Sequence, residues 1–135
     1  MDGNLAVVGE ACRALGNLSR YPSVYSHFVS HSADQILLAL LDSPEVTIVH
    51  HVVGILINFA LQTNIAALFE SEGGAGLRKL LSAMAEFMDW ELANLVLQLL
   101  WNVLRHDRKV HAYAKSFDTS LFSRKSTVFG EINFQ

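Results

Sequence analysis

The segment Val52-Val-Gly-Ile-Leu-Ile-Asn58-Phe-Ala, near the middle of the 135-residue chain, decides the fold. It has two counterparts, Ala11-Cys-Arg-Ala-Leu-Gly-Asn17-Leu-Ser and Val96-Leu-Gln-Leu-Leu-Trp-Asn102-Val-Leu. In each segment a Leu stands two residues before the Asn, and apolar residues stand three and six residues before it. The asparagines are 41 and 44 residues apart. A repeat of this length is typical of helical solenoids.

A second motif repeats between these segments. Ile36-Leu-Leu-Ala-Leu40-Leu41 matches Gly76-Leu-Arg-Lys-Leu80-Leu81, with the Leu-Leu pairs 40 residues apart. Because two motifs recur in the same order and with nearly the same period, we predict units of about 40 residues that hold two or three helices each. The helix with the Asn is apolar on all sides but one, which predicts an inner layer between neighbouring helices. The polar Asn must then be hydrogen-bonded or face a groove.

Single residues predict where helices begin and break. Pro22 suits the first position of a helix, and Ser43 and Asp89 suit N-caps. The glycine-rich stretch 73–76 predicts a break between two short helices. Period-two alternation occurs only at 128–134, so the predicted fold class is all-α.

The composition limits the class of protein. Apolar residues make up 51% of the chain and charged residues 17%, so the chain must pack a core. The chain has a formal charge of −3 and a pI near 6.0, so it is not basic as nucleic-acid-binding proteins usually are. Histidine, asparagine and glutamine interrupt the most apolar stretch, 46–69, and are costly in lipid, so we predict no membrane span. A single Cys12 and the lack of a signal-peptide pattern predict an intracellular, cytoplasmic location.

The repeated residues resemble the armadillo repeats. That family's unit has three helices, with a Leu-Leu pair closing the second and a Leu-x-Asn-Leu-like motif ending the third. The resemblance covers residues 5–105, and Asp42-Ser-Pro44-Glu45 and Phe69-Glu-Ser-Glu-Gly73 look like the family's loops. It implies a right-handed α-solenoid of three-helix armadillo repeats. The run from Arg13 to Arg20 is also similar to a member linked to the assembly of motile cilia, which adds the cilium as a candidate location.

The resemblance implies a map of the chain. The array is expected at 1–117, with a partial repeat at 1–20, full repeats at 21–61 and 62–105, a terminal helix at 107–117 that covers the end of the stack, and a flexible tail at 118–135. A chain that starts at a third helix lacks the first two helices of that unit. We therefore expect the C-terminal part of a longer array, or a short isoform.

In peptide-binding members of the family, the motif Asn contacts the main chain of an extended ligand. Here those residues are Asn17, Asn58 and Asn102. A carboxamide offers a donor and an acceptor, so it can bind a peptide unit whatever its side chains are. The alternative is that these asparagines only tie together their own helices and loops.

The same helix stripe supplies further candidates. The remaining expected partner-binding residues are Glu10, Arg13, His51 and Gln98. Nuclear-import members have a Trp four residues before the Asn, where this chain has Arg13, Gly54 and Gln98. Trp101 precedes its Asn by one residue and is expected in the core. A receptor for nuclear-import signals is therefore not expected.

Catalytic and metal-binding patterns are weak in this sequence. His27 and His31 can share a helix face, but no Cys or carboxylate pair accompanies them at the spacing of a zinc site. The glycines at 73–76 lack the Lys-Ser/Thr ending of a phosphate-binding loop, and Cys12 lies on an apolar helix where it is expected to be packed. We predict no catalytic residue, no metal and no cofactor.

Two functional classes remain. The first is a non-enzymatic scaffold that binds a protein or an extended peptide along the concave face, and not nucleic acid, membrane or a small-molecule substrate. The second is a structural subunit of a larger assembly, such as a ciliary or axonemal complex, that makes its contacts through the array end or the tail.

Overall fold

The computed structural model describes residues 3–106, which form helices and turns without a strand. The helices are α1 Gly3–Leu18, α2 Val24–Ser30, α3 Ala33–Leu40, α4 Val46–Gln62, α5 Ala66–Phe87 and α6 Trp90–His106. The predicted all-α class is confirmed. The expected terminal helix 107–117, the tail 118–135 and the alternating stretch 128–134 lie outside the described residues.

The helices form two layers. The three helices with the repeated Asn, α1, α4 and α6, lie side by side, and α4 packs against the other two. In the second layer, α2 packs against α3, α3 packs against α4 and α5, and α5 packs against α6. This stacking is the α-solenoid that the two repeated motifs predict.

The core is centred on α4 because that helix is apolar almost all round. Val52, Ile55 and Phe59 are fully buried. The Phe59 ring meets the ring of Tyr25 at 5.0 Å and the ring of Phe28 edge-on at 4.9 Å, so α4 is fixed to the second layer by aromatic contacts. An apolar helix of this kind is stable only between neighbours, as the sequence predicts.

The backbone leaves helical geometry inside α5, between Ser71 and Gly74. Glu72, Gly73 and Gly74 have φ values of 52°, 66° and 84°, a left-handed conformation that favours glycine. The predicted break is confirmed, although it starts two residues earlier than the glycine-rich stretch. Gly76 is helical instead, and a Cβ there would lie 3.0 Å from the carbonyl oxygen of Leu68.

One of the three predicted helix starts is confirmed. Asp89 caps α6, since its Oδ1 accepts a hydrogen bond from the Leu92 N–H at 2.8 Å. This bond, and next the His50 imidazole 3.2 Å away, hold the pKa of Asp89 below its ordinary value. Asp89 therefore also joins the start of α6 to α4.

The predicted helix starts at Pro22 and Ser43 are each two residues too early. The Val24 N–H donates to the Tyr21 carbonyl at 3.0 Å, so Pro22 lies in a turn that precedes α2. The helix α4 starts after Glu45, and the Ser43 hydroxyl accepts the Glu45 N–H at 3.2 Å within the loop. A local turn competes for the backbone groups in both places.

Candidate partner-binding face

The layer of α1, α4 and α6 has one side that the second layer does not cover. On α4, the residues Thr47, His51, Gly54, Asn58 and Leu61 recur at helical spacing and are exposed or half-buried. Positions 41 residues earlier on α1 and 44 residues later on α6 continue this stripe. We call it the open face, and its members used below are Glu10, Arg13, Asn17, His51, Gly54, Asn58, Gln98, Asn102 and Arg105.

The α1 part of the open face is exposed. Arg13 donates from Nη2 to the Glu10 carboxylate at 2.7 Å and from Nε at 3.0 Å. This hydrogen bond and the charge of Arg13 lower the pKa of Glu10. Asn17 is exposed, and its carboxamide makes no hydrogen bond within the part of the chain that the structure describes. Asn17 can therefore both donate to a ligand and accept from one.

The Asn58 carboxamide joins α4 to α1. Its Nδ2 donates to the Ser19 hydroxyl at 2.9 Å and to the Gly16 carbonyl at 3.3 Å. One turn later, the Gln62 Nε2 donates to the carbonyls of Ser19 and Arg20 at 3.0 and 3.1 Å. Ser19 and Arg20 follow directly after the last residue of α1, where no further helical turn supplies a partner for their carbonyls. The Asn58 Oδ1 accepts no hydrogen bond from residues 3–106 and is available to a ligand.

Asn102 has a different environment. It is only 9% exposed, and its Nδ2 donates to the Gln98 carbonyl of its own helix at 2.9 Å. Asn102 differs from Asn58 in its hydrogen bonds because the residue that faces it on the neighbouring helix is different. Ser19 offers a hydroxyl to Asn58, whereas the corresponding position on α4 is Ala60, which has none.

The residue four positions after the motif Asn makes the same bond at both junctions. Gln62 donates to the Ser19 carbonyl, and His106 donates from Nε2 to the Ala60 carbonyl at 3.1 Å. A carbonyl only accepts, so the His106 Nε2 carries a proton in this contact. Sequence reasoning placed Gln62 and His106 one turn beyond the Asn as alternatives for the groove, but did not predict these bonds between helices or the role of Ser19. Their common offset from the Asn, visible in the repeat, was the available signal.

The prediction that Trp101 lies in the core is wrong, since its side chain is 69% exposed. One residue before the Asn, α4 has Ile57, which is buried. Ile48 and Ile55 contact α1, and helical spacing puts Ile57 on the other side of α4, toward α6. The same side of α6 faces no further helix among residues 3–106.

The remaining expectations concern a thiol and the histidines. Cys12 is 2% exposed, and burial raises the pKa of its thiol, so it is packed as predicted and stays protonated at neutral pH. The His31 ring Nδ1 lies 2.9 Å from the His27 carbonyl. Within residues 3–106, no three His, Cys, Asp or Glu side chains are grouped as metal ligands, and no helix is both long and apolar enough to cross a membrane.

Three curated proteins are similar to this chain. Over 104 residues, or 76% of the chain, it is 36% identical to Armadillo repeat-containing protein 2 from Bos taurus, 35% to that from Homo sapiens and 31% to that from Mus musculus. The match spans 11–12% of the length of these relatives. No family model matches the chain. No solved structure matches it.

Proposed function

Because the chain belongs to the armadillo-repeat family, we propose that it is a protein-interaction scaffold that binds an extended partner segment across the open face. The division into a partial repeat at 1–20 and full repeats at 21–61 and 62–105 is part of this proposal. So are the roles of the individual asparagines.

The observation that carries the proposal is the unused hydrogen-bonding capacity of the open face. Asn17 keeps both its donor and its acceptor, and Asn58 keeps its Oδ1. Gln98 is exposed on the neighbouring helix. Amide groups of this kind complement the N–H and C=O groups of an extended chain, which leaves sequence preference to the surrounding side chains.

The dimensions of the layer suit a short segment. Neighbouring packed helices lie about 8–10 Å apart, so the distance from α1 to α6 across α4 is about 20 Å. An extended chain covers this distance with about six residues. The charges along that path are mixed, with Glu10 and Arg13 on α1 and Arg105 on α6, which favours a partner segment with both polar and apolar side chains.

The test is site-specific photo-crosslinking in an extract of the source cells. The photoreactive residue benzoylphenylalanine replaces Gly54, because no atom lies within 4 Å of a Cβ at that position. The matched control carries the same residue at Ala67, an exposed position in the second layer. We expect a defined partner peptide to crosslink at 54 and not at 67.

Variants then test the carboxamides. Asn17→Ala and Gln98→Ala alter exposed side chains, so they should leave the circular dichroism unchanged and lower the crosslink yield at least fivefold when combined. Asn58 is left intact because its variants would also weaken the α1 junction. Equal crosslinking at 54 and 67, or an unchanged yield in the double variant, would show that the open face does not bind the partner.

A second candidate function has its own supporting observation. The 69% exposed Trp101 lies on the outer side of α6 and suits a subunit that contacts a larger assembly, such as a ciliary complex, through the end of the array. In that case Trp101→Ala, and not the Asn17 and Gln98 variants, would weaken binding of the partner.

A further inference from the structure

Three side chains form a row beside the asparagines of the open face, about one helical turn further along. Arg20, Leu61 and Arg105 each follow the motif Asn of their repeat by three residues, and all three are exposed. The Gln62 Nε2 donates to the Arg20 carbonyl at 3.1 Å, which fixes the main chain of Arg20 beside the end of α4. We call these three residues the terminal row. It presents a cation, an apolar side chain and a second cation, in that order.

The arginines of the terminal row have no partner in the part of the chain that the structure describes. Within residues 3–106, the guanidinium groups of Arg20 and Arg105 make no hydrogen bond and no ion pair. A carboxylate or a carbonyl lies 2.7 Å from each of the other Lys and Arg side chains in this range, Arg13, Arg78 and Lys79. The two arginines can therefore bind a ligand without giving up a bond that the fold uses.

The helix dipole is an alternative reason for a cation at the end of a helix. It acts alike on α1, α4 and α6, so it predicts a cation after each of them. On α4, however, the position is held by Leu61, which is 55% exposed. The dipole therefore does not explain why the row alternates between cationic and apolar side chains.

We infer that the partner segment carries an acidic side chain at each end and an apolar side chain in the middle. The two carboxylates bind Arg20 and Arg105, and the apolar side chain contacts Leu61. This inference rests on the proposed scaffold function, because it gives the chemistry of the segment that crosses the open face.

The chemistry of the guanidinium group supports carboxylates as its partners. A guanidinium offers a planar fork of donors and no acceptor, and a carboxylate complements it with two parallel bonds. A segment with a Lys or Arg at both ends would be repelled by the row. The asparagines bind main-chain groups whatever the side chains are, so the terminal row supplies the sequence preference.

The spacing of the helices sets the interval between the two acidic residues. Since α4 lies between α1 and α6, Arg20 and Arg105 are about 20 Å apart. An extended chain covers this distance with about six residues, which puts the apolar residue midway. The distance exceeds the Debye length of about 8 Å at physiological ionic strength, so each arginine binds separately. A single phosphate or another small anion cannot reach both.

The test is a titration of the isotopically labelled 135-residue chain with short peptides, followed by NMR amide shifts. The probe is a seven-residue peptide with Glu at both ends, Leu in the middle and Ser elsewhere. The matched peptides have Gln or Lys in place of Glu. We expect the Glu peptide to bind with a dissociation constant of about 0.1–1 mM at low ionic strength and to shift the amides of 17–20 and 58–62. The Gln peptide should bind about tenfold more weakly, and the Lys peptide more weakly still.

Substitutions test the two arginines one at a time. Arg20→Gln and Arg105→Gln should each weaken binding of the Glu peptide about threefold. Arg78→Gln removes the same charge from the second layer, so this control should bind like the wild type. The double variant Arg20→Glu with Arg105→Glu should prefer the Lys peptide. Because Arg105 is one residue from the end of the described range, Arg20→Gln is the decisive single change.

The outcomes separate this inference from the scaffold function. Equal affinity for the three peptides, or an unchanged affinity in Arg20→Gln, would overturn the inference and leave the scaffold function in place. A Glu peptide that shifts no amide at about 5 mM would also overturn it. If the Glu peptide binds as expected but crosslinking at 54 equals that at 67, the scaffold function fails and the chemistry of the terminal row stands.

Discussion

Replacing Asn58 with Ala tests whether the carboxamide holds α4 to α1. The change removes the bonds from Nδ2 to the Ser19 hydroxyl at 2.9 Å and to the Gly16 carbonyl at 3.3 Å. The buried Ser19 hydroxyl still donates to the Gly16 carbonyl at 2.7 Å, so no buried donor loses its only partner.

The expected cost follows from these contacts. A net hydrogen bond contributes about 0.5–1.5 kcal/mol, and the longer bond to Gly16 falls at the lower end, so the two together contribute about 1–2 kcal/mol. Alanine regains about 0.5 kcal/mol of helix propensity relative to Asn. We expect Asn58→Ala to lower the free energy of unfolding by about 0.5–1.5 kcal/mol.

Asn102→Ala is the matched control, because it has the same change in propensity on an equivalent helix. It loses one bond to a carbonyl of its own helix, which already accepts the regular helical bond. We expect almost no change in stability. The difference between the two variants, about 1 kcal/mol, therefore isolates the bonds across the junction.

The assay is urea unfolding followed by circular dichroism at 222 nm, with Ser19→Ala added to complete a double-mutant cycle. We expect Asn58 and Ser19 to be coupled by about 0.5–1.5 kcal/mol. If Asn58→Ala and Asn102→Ala unfold at the same urea concentration and the coupling is zero, then Asn58 does not fasten the junction. Both the Nδ2 donor and the Oδ1 acceptor of Asn58 would then be available to a ligand.

Three further predictions concern the core, the glycines and a helix cap. Phe59→Ala should lower the free energy of unfolding in urea by about 3–5 kcal/mol, because it empties a site enclosed by two aromatic rings, while Phe59→Leu should lose less than half of that; equal losses would contradict this packing. Gly76→Ala should lower the free energy of unfolding by about 1–3 kcal/mol, since its Cβ would meet a carbonyl at 3.0 Å. Gly54→Ala should raise it by about 0.5–1 kcal/mol in the same assay, because no atom lies within 4 Å of a Cβ there. A stabilising Gly76→Ala together with a destabilising Gly54→Ala would refute the geometry. The pKa of Asp89 is lowered in the native state, so its charge stabilises the fold above the unfolded pKa of about 3.9, and this contribution disappears as the pH falls through the native pKa. The stability difference between the wild type and Asp89→Asn, measured by urea unfolding, should therefore shrink between about pH 5 and pH 2, and a constant difference would contradict it.

The layer of Asn-bearing helices could be predicted from sequence because its physical cause is local. A helix such as α4, with apolar residues on nearly every side, has to be buried, and a repeat of such helices has to stack. The helix starts at Pro22 and Ser43 could not be placed to the residue, because turns compete there for the same backbone groups. Asp89 was predictable because its cap bond spans only three residues.

The site was less predictable because its chemistry depends on contacts between helices. The bonds from Asn58 and Gln62 reach residues about 40 positions away, and no local pattern gives those distances. Trp101 was misplaced for a related reason. A large aromatic residue is usually buried, but its register on α6 puts it on the side that has no neighbour in the described layer.

The open face has no internal symmetry, although the helices that form it are repeats. Four residues before each Asn stand Arg13, Gly54 and Gln98, which are a cation, a gap without a side chain and a neutral amide. A segment that crosses from α1 to α6 meets these three surroundings in one order, and a segment that runs the other way meets them reversed. The face can therefore distinguish the direction of a bound chain, so a partner segment and its reversed sequence would not be equivalent ligands.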